Sequence, residues 1–317
     1  MSKEINIPRL IQEIKEGNRF ALSKAITLAE STRLDHLEKA QEIISSFPLN
    51  VNSKRIAITG VPGVGKSTFI EALGLYLTSL GHKVAILAID PSSSLSKGSI
   101  LGDKTRMEDL AKNELAYIRP SASNGSLGGV TSRTYEAMLL CEAAGYDHIL
   151  IETVGVGQSE TLVNQITDLF LFLQLPGSGD DLQGIKRGIM EIADIIFVNK
   201  VDVFQEKQIK DLKVDLSRSL QFLPNKKSEW KRKTVLGSGL KEKGIVELWN
   251  IVIDYFDLIH LNGFYLENRR SQQLIQSETY LLELMERRLK EKLREKPLLK
   301  TSDNAYAIAK EWMKENI

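Results

Sequence analysis

The sequence predicts an α/β fold: a doubly wound, mostly parallel sheet with a helical segment before it and a helical arm after it. Three observations lead there. Short, nearly continuous apolar runs recur from residue 54 onward: "KRIAIT", "KVAILAID", "LAYIRP", "DHILIE", "DLFLFLQL" and "DIIFVN". Strands that are apolar on both sides belong to parallel sheets covered on both faces. Each run is bounded by charged or turn residues and followed by a segment long enough for a helical crossover. On either side of this region the apolar spacing changes to three and four residues, the period of a helix.

Residues 1–50 read as a helical segment. "IPRLIQEIKEG", "FALSKAITLAE" and "DHLEKAQEIISSF" place apolar residues on one helical face with charges between them, and Pro48 and Asn50 end the pattern. Residues 51–262 hold the sheet domain. Residues 263–317 return to helix, with the long charged stretch "RRSQQLIQSETYLLELMERRLKEKLREK" broken by Pro297 and followed by "DNAYAIAKEWMKEN".

Composition excludes several roles. The 317 residues carry a formal net charge of +1, which argues against bulk attraction to nucleic acid or to an anionic membrane. No apolar run approaches the ~18 residues of a spanning helix, and the N-terminus carries acids instead of a signal core, so a cytoplasmic protein is expected. Cys141 is the single cysteine; it cannot form an intrachain disulfide, and in "YEAMLLCEAAG" it reads as a packed core thiol.

The strongest motif is Gly60-Val61-Pro62-Gly63-Val64-Gly65-Lys66-Ser67, a G-x-x-x-x-G-K-[ST] element between the strand "RIAIT" and the helix "STFIEALGLYLTSLG". Glycines let consecutive N–H groups turn inward as an anion nest, and the helix N-terminus adds its dipole. Gly63, Val64, Gly65, Lys66, Ser67 and Thr68 are therefore expected to cradle phosphates. Lys66 reaches the β- and γ-phosphates, and Ser67 offers its hydroxyl to Mg²⁺.

The base is read further on. Asn199-Lys200-Val201-Asp202 follows the strand "DIIFV". A carboxylate at Asp202 accepts both the ring N1–H and the exocyclic amine of guanine, a pairing adenine lacks. The stem of Lys200 covers the flat ring, and Ser238-Gly239-Leu240 presents backbone N–H groups to guanine O6. GTP is thus expected over ATP. Asp90, Asp103 and Glu152 stand at or just past strand ends, where carboxylates serve a hard metal ion together with Ser67. Gly155 is positioned to sense the γ-phosphate. Arg106 and Lys186 are the basic candidates near the phosphates. The expected reaction is attack of water on the γ-phosphoryl group, with Lys66, Asp103, Glu152 and Lys186 as catalytic candidates. "LPGSGDDLQGIKRG", residues 175–188, is long for a turn and carries Asp180, Asp181, Lys186 and Arg187.

Several blocks together carry a family resemblance. "ITGVPGVGKST", "DPSSS…GSILGDKTRM", "RPSASNGSLGGV", "CEAAGYDHILIETVGVGQSE", "LPGSGDDLQGIKRGIMEIADIIFVNKVD" and "KGIVELW" resemble the methylmalonyl-CoA mutase-associated GTPase chaperones, the MeaB/ArgK family. The resemblance is strong over about residues 55–250. It implies a homodimeric GTPase with a C-terminal dimerisation arm. It also implies a complex with an adenosylcobalamin-dependent acyl-CoA mutase, with a cobalamin adenosyltransferase as a further partner. GTP turnover there gates cofactor delivery and protects the mutase. By position, 92–107 and 153–160 correspond to two nucleotide-sensing switches and 176–188 to a third that faces the mutase. Two positions depart from the family's pattern: Lys97 and Glu242 stand where glycine is common.

Three other readings compete. A metallochaperone GTPase needs soft or imidazole ligands, and the four histidines, His36, His82, His148 and His260, show no paired spacing. A transport-associated kinase would need a kinase catalytic loop and glycine-rich loop, where the sequence has a P-loop, and the Asn-Lys-x-Asp element makes GTP the expected nucleotide over the ATP of a transport ATPase. A binding module that does not hydrolyse its nucleotide would not need the metal-binding acids.

Overall fold

The computed structural model describes residues 5–48, 52–90, 107–122, 127–153, 159–176, 185–297 and 304–316. Residues 1–270 form one compact unit and residues 271–317 a second.

The first unit begins with three short helices, α1 (Ile7–Lys15), α2 (Arg19–Ala29) and α3 (Leu34–Ser45). Their starts are chemically set. Asn6 accepts the Arg9 N–H and Asn18 accepts the N–H groups of Phe20 and Ala21, which satisfies donors that a helix start leaves orphaned. Each helix buries an apolar stripe, for example Ile7, Leu10 and Ile14 on α1. The stripes join the core on one face of the sheet.

Among the described residues seven strands follow, all parallel: β1 (Lys54–Gly60), β2 (Val84–Asp90), β3 (Ala116–Ala122), β4 (His148–Glu152), β5 (Leu169–Gln174), β6 (Ile195–Val198) and β7 (Lys233–Leu236). Their order across the sheet is β3-β2-β4-β1-β5-β6-β7. Ile56 of central β1 lies level with Leu150 on one neighbour and Leu169 on the other. The expected doubly wound parallel sheet is therefore present. Between the strands run α4 (Lys66–Ser79), α5 (Glu108–Lys112), α6 (Leu127–Ala143), α7 (Ser159–Asn164), α8 (Ile185–Ile192) and α9 (Glu206–Gln221); α10 (Ile245–Leu261) follows β7. Helix α6 packs with α2 and α3 on one face. On the other, α4 and α10 bury Phe69, Leu73, Leu248, Trp249, Tyr255 and Phe256. Cys141 is buried, as expected of a core thiol.

The chain leaves β1 for one side of the sheet and returns past it to β5 on the other. At such a reversal the strand ends open a crevice where ligands bind in α/β folds. Gly60, Glu152 and Gln174 end the three strands that meet there.

The opposite end of the sheet is tied by charge. Arg55 donates from Nε and Nη2 to both Glu142 oxygens at 2.7 and 2.8 Å. Arg269, in the first turns of α11 (Phe264–Glu295), makes a forked pair with Asp168 at 2.6 and 2.7 Å and reaches Glu142 at 3.0 Å. Burial alone would raise the Glu142 carboxyl, but Arg55, Arg269 and the Ser53 hydroxyl together hold it below the usual carboxylate range. The signal for this network was faint in sequence: charged residues placed among apolar strand and helix positions.

The second unit comprises the rest of α11 and α12 (Ala305–Asn316), where the Trp312 indole N–H donates to the Lys296 carbonyl at 2.8 Å. Leu274, Leu281, Leu282, Leu284 and Met285 are exposed along α11. Among the described residues no helix is long and apolar enough to cross a membrane.

Candidate functional site

Strand β1 delivers its last residue, Gly60, against β5: a Cβ there would sit 2.7 Å from the Leu173 carbonyl oxygen. The chain turns back over the strand ends and enters α4 through Gly65, whose φ of +93° lies in the left-handed region that favours glycine. Val64 is buried beneath this turn. The result is a loop wrapped ahead of a helix N-terminus, the anion-binding arrangement the motif predicts.

Lys66 and Ser67 project from the first turn of α4. The Lys66 ammonium donates to the Gly60 carbonyl at 2.8 Å, which folds the side chain back along the loop. Burial lowers the Lys66 pKa, and the carboxylates of Glu152 and Glu160 work against that lowering. Ser67 Oγ donates to Glu152 Oε1 at 3.3 Å. Glu152 ends β4, so a strand end and a helix start bring a hydroxyl and a carboxylate together across 85 positions of sequence. Hard oxygen donors of this kind suit a cation such as Mg²⁺. Thr68, the next residue, is exposed.

Behind this pair lies a group that motif reading missed. Thr153 donates from its hydroxyl to Thr59 Oγ1 at 2.7 Å, and Thr59 Oγ1 lies 3.4 Å from Glu160 Oε1. All three side chains are buried. They tie the start of the segment after β4 to the end of β1. No local motif announces them, because their partners are about a hundred residues apart.

The Asn199-Lys200-Val201-Asp202 element follows β6 at the same edge. Asn199 does not face open solvent; it is 2% exposed and acts as a strut. Its Nδ2 donates to the Val64 carbonyl at 2.9 Å, and its Oδ1 accepts the Gly239 N–H at 2.9 Å. One side chain thus spans the phosphate loop and the 238–240 loop. Lys200 has φ +60° and donates from Nζ to the Gly63 carbonyl at 2.8 Å, so its stem runs along the loop. Asp202 is exposed, and its carboxyl is lowered chiefly by a hydrogen bond from the Ser238 hydroxyl.

The loop after β7 is shaped by close approach. A Cβ on Gly239 would lie 2.9 Å from the Phe69 Cα. Ser238 is buried and exchanges both backbone hydrogen bonds with Lys243. Glu242 sits at φ +54°, a left-handed backbone position that glycine adopts without strain. The structure refines the expectation for 238–240. Gly239 spends its N–H on Asn199 and Leu240 exposes its side chain, so Gly239 positions the loop from behind.

Not every expected residue can be placed. Asp103, Gly155, Arg106, Asp180 and Asp181 lie outside the described residues. Asp90 ends β2 and Lys186 lies on α8, but their side chains also fall outside the described set. Two histidines without paired spacing in sequence meet in the fold: His82 and His148 stack with ring centroids 4.6 Å apart, because the starts of β2 and β4 are neighbours in the sheet.

An all-parallel sheet, a lysine–serine phosphate loop and an Asn-Lys-x-Asp element locked to it by a buried asparagine define a P-loop GTPase. Comparison with known proteins then narrows the class. Residues 22–297 match the family described as "Methylmalonyl Co-A mutase-associated GTPase MeaB", and the chain belongs to that family. It is 44% identical over 277 residues to the GTPase ArgK of Escherichia coli K12, covering 87% of this chain and 83% of that one. It is 41% identical over 280 residues to the mouse "Methylmalonic aciduria type A homolog, mitochondrial", covering 85% of this chain and 68% of the relative. A crystal structure titled "LAO/AO transport system kinase" superposes with a TM-score of 0.75 at 35% identity, covering 93% of this chain and 89% of that one.

Proposed function

We propose that this GTPase binds GTP with Mg²⁺ and uses hydrolysis to gate adenosylcobalamin delivery to, and to protect, an adenosylcobalamin-dependent acyl-CoA mutase of the methylmalonyl-CoA type. The observation that carries the nucleotide half is the Asn199 strut, which makes the phosphate loop and the base-reading loop one unit. The mutase half rests on membership of a family described by its mutase association.

In this reading Gly63, Val64, Gly65 and Thr68 cradle phosphate oxygens. Lys66 exchanges the Gly60 carbonyl for β- and γ-phosphate oxygens. Ser67 and Glu152 would hold Mg²⁺, together with Asp90 and Asp103; bound there, it would supply positive charge against the phosphates. Asp202 pairs with guanine and the Lys200 stem covers its ring. Gly155 senses the γ-phosphate, and Asp103, Glu152 and Lys186 position water and charge. The segments 92–107, 153–160 and 176–188 act as switches, so turnover is slow until a partner orders them. Residues 1–50 form the helical segment, 51–262 the GTPase domain and 263–317 a dimerisation arm, for which the exposed leucines of α11 supply an apolar face. The protein works in the cytoplasm, with a cobalamin adenosyltransferase as a further partner.

Calorimetry tests the base reading: GTP binds with Mg²⁺ more tightly than ATP, and equal affinities overturn it. Lys66→Ala abolishes hydrolysis. Co-purification with the mutase subunit in the presence of a GTP analogue tests the partner. Asp181→Ala should lower the mutase-stimulated rate more than the basal rate, and unchanged stimulation removes the third switch from the proposal.

A further inference from the structure

We propose that His82, Asp147 and His148 form a site for a divalent transition-metal ion of the zinc class, at the end of the sheet opposite the phosphate loop. Ligand atoms of the three residues lie within 4.8 Å of one another. Strand β4 runs from His148 to Glu152, so about 13 Å of extended chain separates this cluster from the nucleotide edge.

The fold builds the cluster from two adjacent strand starts. Gly81, at φ +86°, turns the chain out of α4 and sets His82 just before β2. Asp147 and His148 open β4 beside it, with Val84 level with His148. The Lys83 N–H donates to Asp147 Oδ2 at 2.8 Å, and the N–H groups of Asp147 and His148 return to the Lys83 carbonyl at 3.0 and 3.2 Å. A carboxylate oriented by a backbone donor is a prepared ligand. Asp147 Oδ2 stands 3.9 Å from His82 Nδ1.

His148 supplies the observation that packing leaves unexplained. It is 2% exposed, its ring lies between His82 and Trp249, and among the described residues neither ring nitrogen makes a hydrogen bond of normal geometry, the Asp147 backbone being only a weak polar neighbour. Buried polar atoms without partners are uncommon and call for a cause. A metal ion gives one of these nitrogens a bond. Burial, aided by the nearby Lys54 ammonium, pushes the His148 pKa down to about 3, so the imidazole keeps its lone pair at neutral pH.

Two imidazoles and one carboxylate suit zinc and its neighbours and leave a fourth position for water. Ligand atoms around a tetrahedral zinc ion lie roughly 3.4 Å apart, given bonds of about 2.0–2.1 Å. His82 is partly exposed at the end of a turn and can move to close the remaining gap of up to about 1.4 Å between 4.8 Å and that spacing. Lys54 opposes the ion, since its ammonium is close enough to lower His148.

The test uses the full chain, stripped of metal by a chelator and then saturated with Mg²⁺ and GDP to occupy the nucleotide edge. Zinc binding is measured by equilibrium dialysis against a colorimetric chelator, and Co²⁺ serves as a visible-absorbing substitute. The expected result is one tight equivalent per chain, weakened tenfold or more in both His82→Ala and Asp147→Ala and strengthened in Lys54→Met. Both weakening substitutions are at exposed or partly exposed positions, so the apo variants should melt close to the wild type, which separates lost ligands from lost fold. Zinc held as tightly by His82→Ala and Asp147→Ala as by the wild type overturns the proposal. So does tight zinc that disappears with Ser67→Ala, which would place it in the phosphate loop.

Discussion

Asn199→Ala tests the claim that one buried side chain holds the two halves of the nucleotide site together. The substitution deletes the donor to the Val64 carbonyl and the acceptor of the Gly239 N–H, both at 2.9 Å. Each net hydrogen bond is worth about 1 kcal/mol, and each partner stranded without water costs about 1–3 kcal/mol. Partial relaxation of two loops at a protein edge admits some water, so a loss of about 2–4 kcal/mol is expected. For a domain of this size that lowers the melting temperature by on the order of 5–10 °C. The assay is urea unfolding of the nucleotide-free chain followed by tryptophan fluorescence, with thermal melting as a second probe. Asn199→Asp is the informative companion. It keeps an acceptor for Gly239 but has no proton for the Val64 carbonyl and buries a charge, so it should cost at least as much as alanine. GDP affinity should fall about tenfold in both variants, although Asn199 needs no contact with the base for this to happen. If nucleotide-free Asn199→Ala unfolds within about 0.5 kcal/mol of the wild type, the strut carries no load and the reasoning fails.

Further outcomes follow from the same packing. Gly239→Ala places a Cβ 2.9 Å from the Phe69 Cα, so the loop or α4 must shift. A loss of about 1–3 kcal/mol is expected by denaturant unfolding, with weaker GTP binding by calorimetry. Glu242→Gly should stabilise by about 0.5–1 kcal/mol in thermal melts, because φ +54° is strained for any residue with a Cβ. Glu142 gives a pH signature. Its carboxyl is lowered from 4.5, so its ion pairs stabilise fully above that value and are lost as pH falls through the lower folded pKa. Unfolding free energy below pH 4.5 should therefore fall more steeply for the wild type than for Glu142→Gln. Equal slopes would show that Glu142 is not held ionised by Arg55 and Arg269.

Chemistry that is local in the chain was legible from the residues alone. The phosphate loop is eight consecutive residues whose glycines, lysine and serine each have a physical reason for their place. The apolar runs specified parallel strands because side chains on both faces must be buried. Asn-Lys-Val-Asp pointed to guanine through the acceptor geometry expected of one carboxylate. Tertiary structure alone decided the contacts between distant segments. It showed Asn199 bridging two loops, because β6 ends beside both the phosphate loop and the loop after β7. It set Ser67 against Glu152 and buried Thr59, Thr153 and Glu160 behind them. It also paired His82 with His148, which looked scattered because 66 residues separate them. Strand order in a doubly wound sheet is not sequence order: β4 inserts between β1 and β2, and that insertion brings remote strand starts into contact as surely as it sets the end of β4 beside the phosphate loop.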